Sequence, residues 1–135
     1  MSECQIKSLD VRARSLVALG ERIHSGLPAS KVSKFLQASG WNKSQLFEWT
    51  HIPAANGNRR FRRGKFGDHE SERIARLASL FDSALEMLRH RVRAAEWLQQ
   101  PNPRLGGVAP VQAAGTELGA NEVQALIGRL RHGVY

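Results

Sequence analysis

The 135 residues suffice for one ordinary domain or two small helical lobes, burying about two-thirds of the unfolded surface without metals or disulfides. A single cysteine, Cys4, excludes an internal bridge and suits a reducing compartment. No apolar run approaches the ~18 residues that a membrane span requires, so a cytoplasmic protein is expected, with no membrane contact. The formal net charge of +8 lies entirely in residues 1–67, with 12 Lys and Arg against 4 Asp and Glu, whereas residues 68–135 balance at 8 against 8. A basic half suits a polyanion, because each cation set on a phosphate releases counterions; a neutral half must serve something else.

β-Branched residues are few and no alternating run reaches five or six residues, so an all-α chain is expected. Asp10 is positioned to cap a first helix with Leu16, Val17, Leu19 and Ile23 on its apolar face, stopped by Gly26 and Pro28. A second helix over 29–39 carries Val32, Phe35 and Leu36 and ends at Gly40. Asn42 caps a short third helix, 43–50, that buries Leu46, Phe47 and Trp49. The longest periodic stretch starts at Asp68, its acidic first turn complementing the helix dipole. Ile74, Leu77, Phe81, Leu85 and Leu88 then form one apolar stripe. A break near His90 and Arg91 precedes a shorter helix with Val92, Ala95 and Leu98, which runs into Pro101 and Pro103. Pro110 sits at a helix start with Gly119 as a stop. Asn121 is then expected to cap a last helix bearing Val123, Leu126, Ile127 and Leu130. The expected organisation is a DNA-binding region over 1–67, a connecting long helix over 68–90 and a small helical C-terminal domain over 91–135.

Five cations fall within seven residues at Arg59, Arg60, Arg62, Arg63 and Lys65, after a helix, a turn and a second short helix. A helix-turn-helix unit places basic and amide side chains of its second helix, and those beside it, against duplex DNA. Asn can pair bidentately with adenine and Arg with guanine, so Asn56, Asn58, Arg59 and Arg60 are candidate base readers. Arg62, Arg63 and Lys65 suit phosphates, and Lys43 and Gln45 on the preceding helix join the DNA-binding set. The competing reading is a solvated loop, favoured by the turn signal Asn56-Gly57. An intermediate reading makes 52–57 a turn, Asn58 a cap and the arginine helix short. RNA is a weaker alternative, since no aromatic-rich strand is present for stacking bases.

The C-terminal half carries Ala94, Trp97, Leu98 and Pro101, then Leu105, Gly106, Gly107 and Pro110. Thr116, Gly119, Val123, Leu126 or Ile127, Arg129, Leu130 and Gly133 follow. In this order and spacing they resemble the C-terminal toxin-binding domain of the Xre, MbcA and ParS type antitoxins. The resemblance extends upstream more weakly, through Arg59-Arg60 and Glu70 to Ile74. It implies a helix-turn-helix lobe joined by a long helix to a small toxin-binding domain. It also implies a type II antitoxin that covers the active site of a RES-domain toxin, an NAD-consuming or ADP-ribosylating enzyme, and represses its own operon by binding promoter DNA. Where the family has a plain helix before Arg-Arg, this chain has Asn56-Gly57-Asn58, which puts its DNA-reading part in question.

On physical grounds Leu105-Gly106-Gly107 reads as a turn and Pro110 as a helix start, while Trp97 is either a core anchor or a contact residue. Arg129, Arg131, His132, Gly133, Val134 and Tyr135 are candidate toxin contacts at the end of the last helix; the alternative there is a frayed terminus. No nucleophile with a base and no phosphate loop is evident, and Asp68-His69-Glu70 is better explained as a helix start, so no enzyme is expected. The histidines at 24, 51, 69, 90 and 132 lack metal-ligand spacing, and neither metal nor cofactor is assigned. A homodimer is expected from paired half-sites. The alternative function is a stand-alone helix-turn-helix regulator whose C-terminal half dimerises.

Overall fold

The computed structural model describes residues 4–133. Eight α-helices dominate: α1 Leu16–His24, α2 Ala29–Ser39, α3 Lys43–Thr50, α4 Ala54–Arg63, α5 Asp68–Leu88, α6 Arg91–Gln99, α7 Pro110–Ala113 and α8 Glu117–Arg131. The all-α expectation holds, with one small addition. Cys4–Ile6 (β1) and Val11–Ala13 (β2) pair antiparallel, in the register Cys4 to Ala13 and Ile6 to Val11. Three-residue strands are too short to leave an alternating pattern in a sequence, which is why none was expected.

Asp10 does not cap α1. It stands in the left-handed region, with φ 53°, after the 3-10 turn Lys7–Leu9, and its carboxylate meets Lys31 Nζ at 3.2 Å and Lys34 Nζ at 3.3 Å. Those two ammonium groups hold its pKa below the usual carboxylate value. The cap of α1 is Ser15, whose hydroxyl oxygen accepts the Ala18 N–H at 3.1 Å. Only Leu19 and Ile23 of the expected apolar face are buried, while Leu16 and Val17 are 76% and 74% exposed.

α2 and α3 form as the sequence indicates. Gly40 ends α2 in the left-handed conformation, and Asn42 and Gln45 cap α3 reciprocally, at 2.8 Å and 3.0 Å. The first turn of α5 is built on Gly67, not on Asp68. The Glu70 carboxylate reaches back to accept the Gly67 N–H at 2.9 Å, and Asp68 occupies the first helical position. At 21 residues α5 is about 31 Å long, and it contacts α1, α2, α3, α6 and α8. Arg89 ends it with φ 60° and His90 caps α6, so the break near residue 90 is real.

Two expectations at the C-terminal end are corrected. Gly119 is not a stop and Asn121 is not a cap, because α8 already begins at Glu117. Thr116 Oγ1 caps it by accepting the Gly119 N–H at 3.0 Å. Gly119 is needed for another reason: a methyl group there would overlap the Ala113 carbonyl of α7. Gly106 and Gly107 both have positive φ, 72° and 89°, in the turn that returns the chain so that Asn102 N–H donates to Val108 O at 3.0 Å.

One cluster of buried side chains runs from Ile6 to Ile127. Its centre is an aromatic knot of Phe35, Trp41 and Phe81, with the half-buried Trp49 edge-on to Trp41 at 4.8 Å. Among the described residues no helix is long and apolar enough to cross a membrane, and no group of three or more His, Cys, Asp or Glu could hold a metal ion.

Candidate functional site

The basic segment is helix rather than turn. α4 runs unbroken from Ala54 to Arg63, entered from Pro53 and ended by Gly64 in the left-handed region, so Asn56-Gly57-Asn58 lies inside it and Asn58 caps nothing. Gly57 is explained by packing. It is buried against α3, and a methyl group at this position would clash with the edge of the Phe47 ring. The Asn-Gly pair therefore marks the close approach of two helices, not a reversal of the chain.

With its inner face fixed by Gly57 and the half-buried Phe61, α4 turns Ala55, Asn58, Arg59 and Arg62 outward. These positions, at steps of three, one and three residues, are all exposed. Phe61 is clasped between Phe47 at 6.1 Å and Phe66 at 5.1 Å, and Lys43 Nζ stands 4.2 Å above its ring. Lys43 is thereby held beside the arginine helix. Lys65 is positioned by an antiparallel bridge to Pro28, where Phe66 N–H donates to Leu27 O and Ala29 N–H to Gly64 O, both at 2.9 Å. Gly26 allows this approach, since a side chain there would strike Lys65 and the Phe66 carbonyl.

Three of the candidate DNA contacts are placed differently. Arg60 Nε donates to the Glu70 carboxylate at 2.8 Å, with side-chain exposures of 32% and 13%, so it ties α4 to the start of α5. Gln45 accepts the Asn42 N–H and donates to Gln99 Oε1 at 3.4 Å, linking α3 to α6. Asn56 is half-buried. By contrast the side chains of Arg59, Arg62, Arg63 and Lys65 make no ion pair among the described residues, leaving four cations open to a polyanion.

In the C-terminal part, Trp97 is half-buried against the core. Arg129, His132 and Gly133 are exposed. Arg131 turns back to α5 and meets Glu86 at 3.4 Å. Val134 and Tyr135 lie outside the described residues.

Residues 18–79 match the model of the antitoxin Xre-like helix-turn-helix domain, and residues 83–133 that of the antitoxin Xre/MbcA/ParS C-terminal toxin-binding domain. A protein of Photorhabdus laumondii named Antitoxin Xre is 35% identical over 114 residues, which cover 83% of the chain and 77% of that relative. The chain belongs to the Xre/MbcA/ParS family of antitoxins. Another Antitoxin Xre, from Yersinia enterocolitica, is 39% identical over 95 residues, 69% of the chain and 64% of the relative. A Sphingobium protein named Prs ADP-ribosylating antitoxin is 24% identical over 123 residues, 84% of the chain and 77% of the relative. In this antitoxin the helix-turn-helix match takes in α2, α3, α4 and the first half of α5, and the toxin-binding match takes in α6 to α8.

Proposed function

We propose that this antitoxin neutralises a RES-type toxin, an enzyme that consumes NAD or transfers ADP-ribose from it, by covering its active site, and represses its own operon. The reading rests on one pairing: a toxin-binding domain over 83–133 lies on the same chain as a helix whose outer face carries exposed arginines that make no ion pair among the described residues. The relative named Prs ADP-ribosylating antitoxin supports an ADP-ribosylating partner. On this reading residues 1–67 meet promoter DNA, 68–90 connect and 91–135 meet the toxin. The protein acts in the cytoplasm by binding, without a cofactor and without catalysis.

On the DNA, α4 is the helix that enters the major groove. Asn58 and Arg59, exposed on its outer face, read bases; Lys43, Arg62, Arg63 and Lys65 lie on phosphates. Arg60, bonded to Glu70, and Gln45, bonded to Gln99, contribute by holding α4 and α3 in place, while the half-buried Asn56 lies beside the reading face. A homodimer gives paired half-sites one helical turn apart. At the toxin, residues 129–135 contact the neighbourhood of the NAD site, and Trp97, half-buried on α6, adds a further contact.

Expressing the RES toxin of the same operon with and without the antitoxin tests the proposal. Growth arrest and NAD loss relieved by the full chain are expected, and lost when 133–135 are deleted with the fold intact. Relief by the truncated chain would remove the C-terminal residues from the mechanism, and arrest unrelieved by the full chain would reject the function.

A further inference from the structure

Residues 4–17 lie outside both matched spans, 18–79 and 83–133, so neither the helix-turn-helix nor the toxin-binding match accounts for them. They end in two neighbouring apolar side chains that are open to solvent, Leu16 at 76% exposure and Val17 at 74%. The other exposed large apolar side chains among the described residues, Val92, Val108 and Leu118, each stand alone in sequence. Folding of α1 does not call for the pair, since its core face is Leu19 and Ile23 and its cap is Ser15.

Gly20 is the second observation. It is exposed in the middle of α1, where glycine weakens a helix relative to alanine, and no other part of the chain lies within 4 Å of the place its Cβ would take. Gly57 and Gly119 answer to Phe47 and Ala113, but Gly20 has no such neighbour. Gly128 of α8 is equally open, yet no exposed large apolar side chain stands three or four residues from it. Gly20 follows Leu16 by four residues and Val17 by three, so a raised apolar turn adjoins a flat one on the same side of the helix. Val17, Gly20, Glu21 and His24 line a shallow groove there. Arg14, just before the cap, and Glu21 are both exposed and make no ion pair among the described residues.

We propose that this face joins two copies of the chain, α1 packing antiparallel on α1 about a two-fold axis between Val17 and Gly20. Shape and charge together select a second copy as the occupant. About that axis Leu16 and Val17 of each copy lie over Gly20 of the other, where the missing side chain lets the helices approach, and Glu21 of each copy comes within reach of Arg14 of the other. Every feature of the face is answered by another feature of the same face, as a two-fold contact requires. The proposal gives an interface to the homodimer of the reading above and rests on that part of it alone. Nine residues make about 14 Å of helix, which covers less than the roughly 800 Å² per partner of a standard interface, so a dimer that dissociates at about micromolar concentration is expected.

Sedimentation equilibrium of the full chain, without DNA or toxin, tests the interface over about 1–100 μM, where a monomer and dimer in equilibrium are expected. Val17→Asp should weaken association about a hundredfold, because two like charges then meet across the axis, and Gly20→Gln about tenfold by filling the flat turn. Neither should lower the thermal midpoint, since both positions are open to solvent and glutamine suits a helix better than glycine. Arg14→Glu and Glu21→Arg should each weaken the dimer and, combined in one chain, restore it, a recovery that separate effects on folding would not produce. Leu118→Arg, at an exposed apolar position on α8, is the control and should dimerise as the unaltered chain does. A chain still monomeric at about 100 μM, a dimer unmoved by Val17→Asp, or a double exchange no stronger than the single ones would overturn the interface. Toxin binding is read separately: the Val17→Asp chain should still co-elute with the RES toxin of its operon, and failure of the unaltered chain to do so would overturn the neutralising function and leave the interface standing.

Discussion

Replacing Gly57 with alanine tests whether α4 is closely packed at this position. If it were an ordinary helical position, alanine would stabilise the protein by about 1 kcal/mol, the propensity difference between the two residues. In the structure the added methyl group would overlap the edge of the Phe47 ring, and Phe47, on α3, is itself buried and packed beside Phe61. Overpacking of this kind costs about 1–3 kcal/mol, and a contact this deep belongs toward the upper end. The net expectation is a loss of about 1–2 kcal/mol, which for a chain of this length lowers Tm by roughly 3–8 °C. Thermal unfolding followed by far-UV circular dichroism reads the shift. Combining Gly57→Ala with Phe47→Leu should cost less than the two single changes added together, since the smaller side chain makes room for the methyl group. DNA affinity should fall with Gly57→Ala alone, as α4 is displaced from its seat. A Tm equal to or above that of the unaltered protein would refute the packing account and make residue 57 an ordinary, uncrowded helical position.

Three further outcomes are expected. With four cations per subunit on phosphates in a dimer, affinity for promoter duplex should drop on the order of 10⁴-fold between 50 and 200 mM salt, and a flat salt dependence would remove DNA binding. Arg59→Ala should relax base preference, whereas Arg60→Ala, which breaks the pair with Glu70, should lower Tm by a few degrees at most and leave base preference unchanged; sequence-resolved binding assays separate the two. Asp82 accepts the Ser8 N–H at 3.2 Å, yet burial raises its pKa above the ordinary carboxylate value. A carboxyl with a raised folded-state pKa contributes stability that is full below its unfolded pKa, near 3.8, and is lost as pH rises through the folded value. The Tm of the unaltered protein relative to Asp82→Asn should therefore decline from acidic toward neutral pH, and a difference constant with pH would contradict the assignment.

Most helices were legible because their signals are local. Asn42 with Gln45, Gly40, and the Ile74-Leu77-Phe81 spacing each act within a few residues, and α2, α3 and α5 follow from them. The failures share a different cause. Gly57 and Gly119 are glycines because another part of the chain approaches them, Phe47 in one case and Ala113 in the other, and a sequence displays the glycine without its neighbour. Asp10 looked like a helix cap, but its partners Lys31 and Lys34 lie more than twenty residues away. In the candidate site, the arginine cluster was visible from charge alone. Its division into Arg60, bonded to Glu70, and the outward Arg59 and Arg62 required the helix phase that Gly57 and Phe61 fix. Leu118 escaped notice because its exposure depends on where α8 begins, and Thr116, not Asn121, sets that point.

Neutralisation as proposed requires a direct complex between this antitoxin and a RES toxin. Co-expression of the two genes followed by size-exclusion chromatography tests it, with NAD turnover assayed across the eluted fractions. One co-eluting peak containing both chains and devoid of NAD-consuming or ADP-ribosylating activity is expected, with activity returning once the chains are separated. Separate elution of the two proteins with the toxin fully active would contradict it.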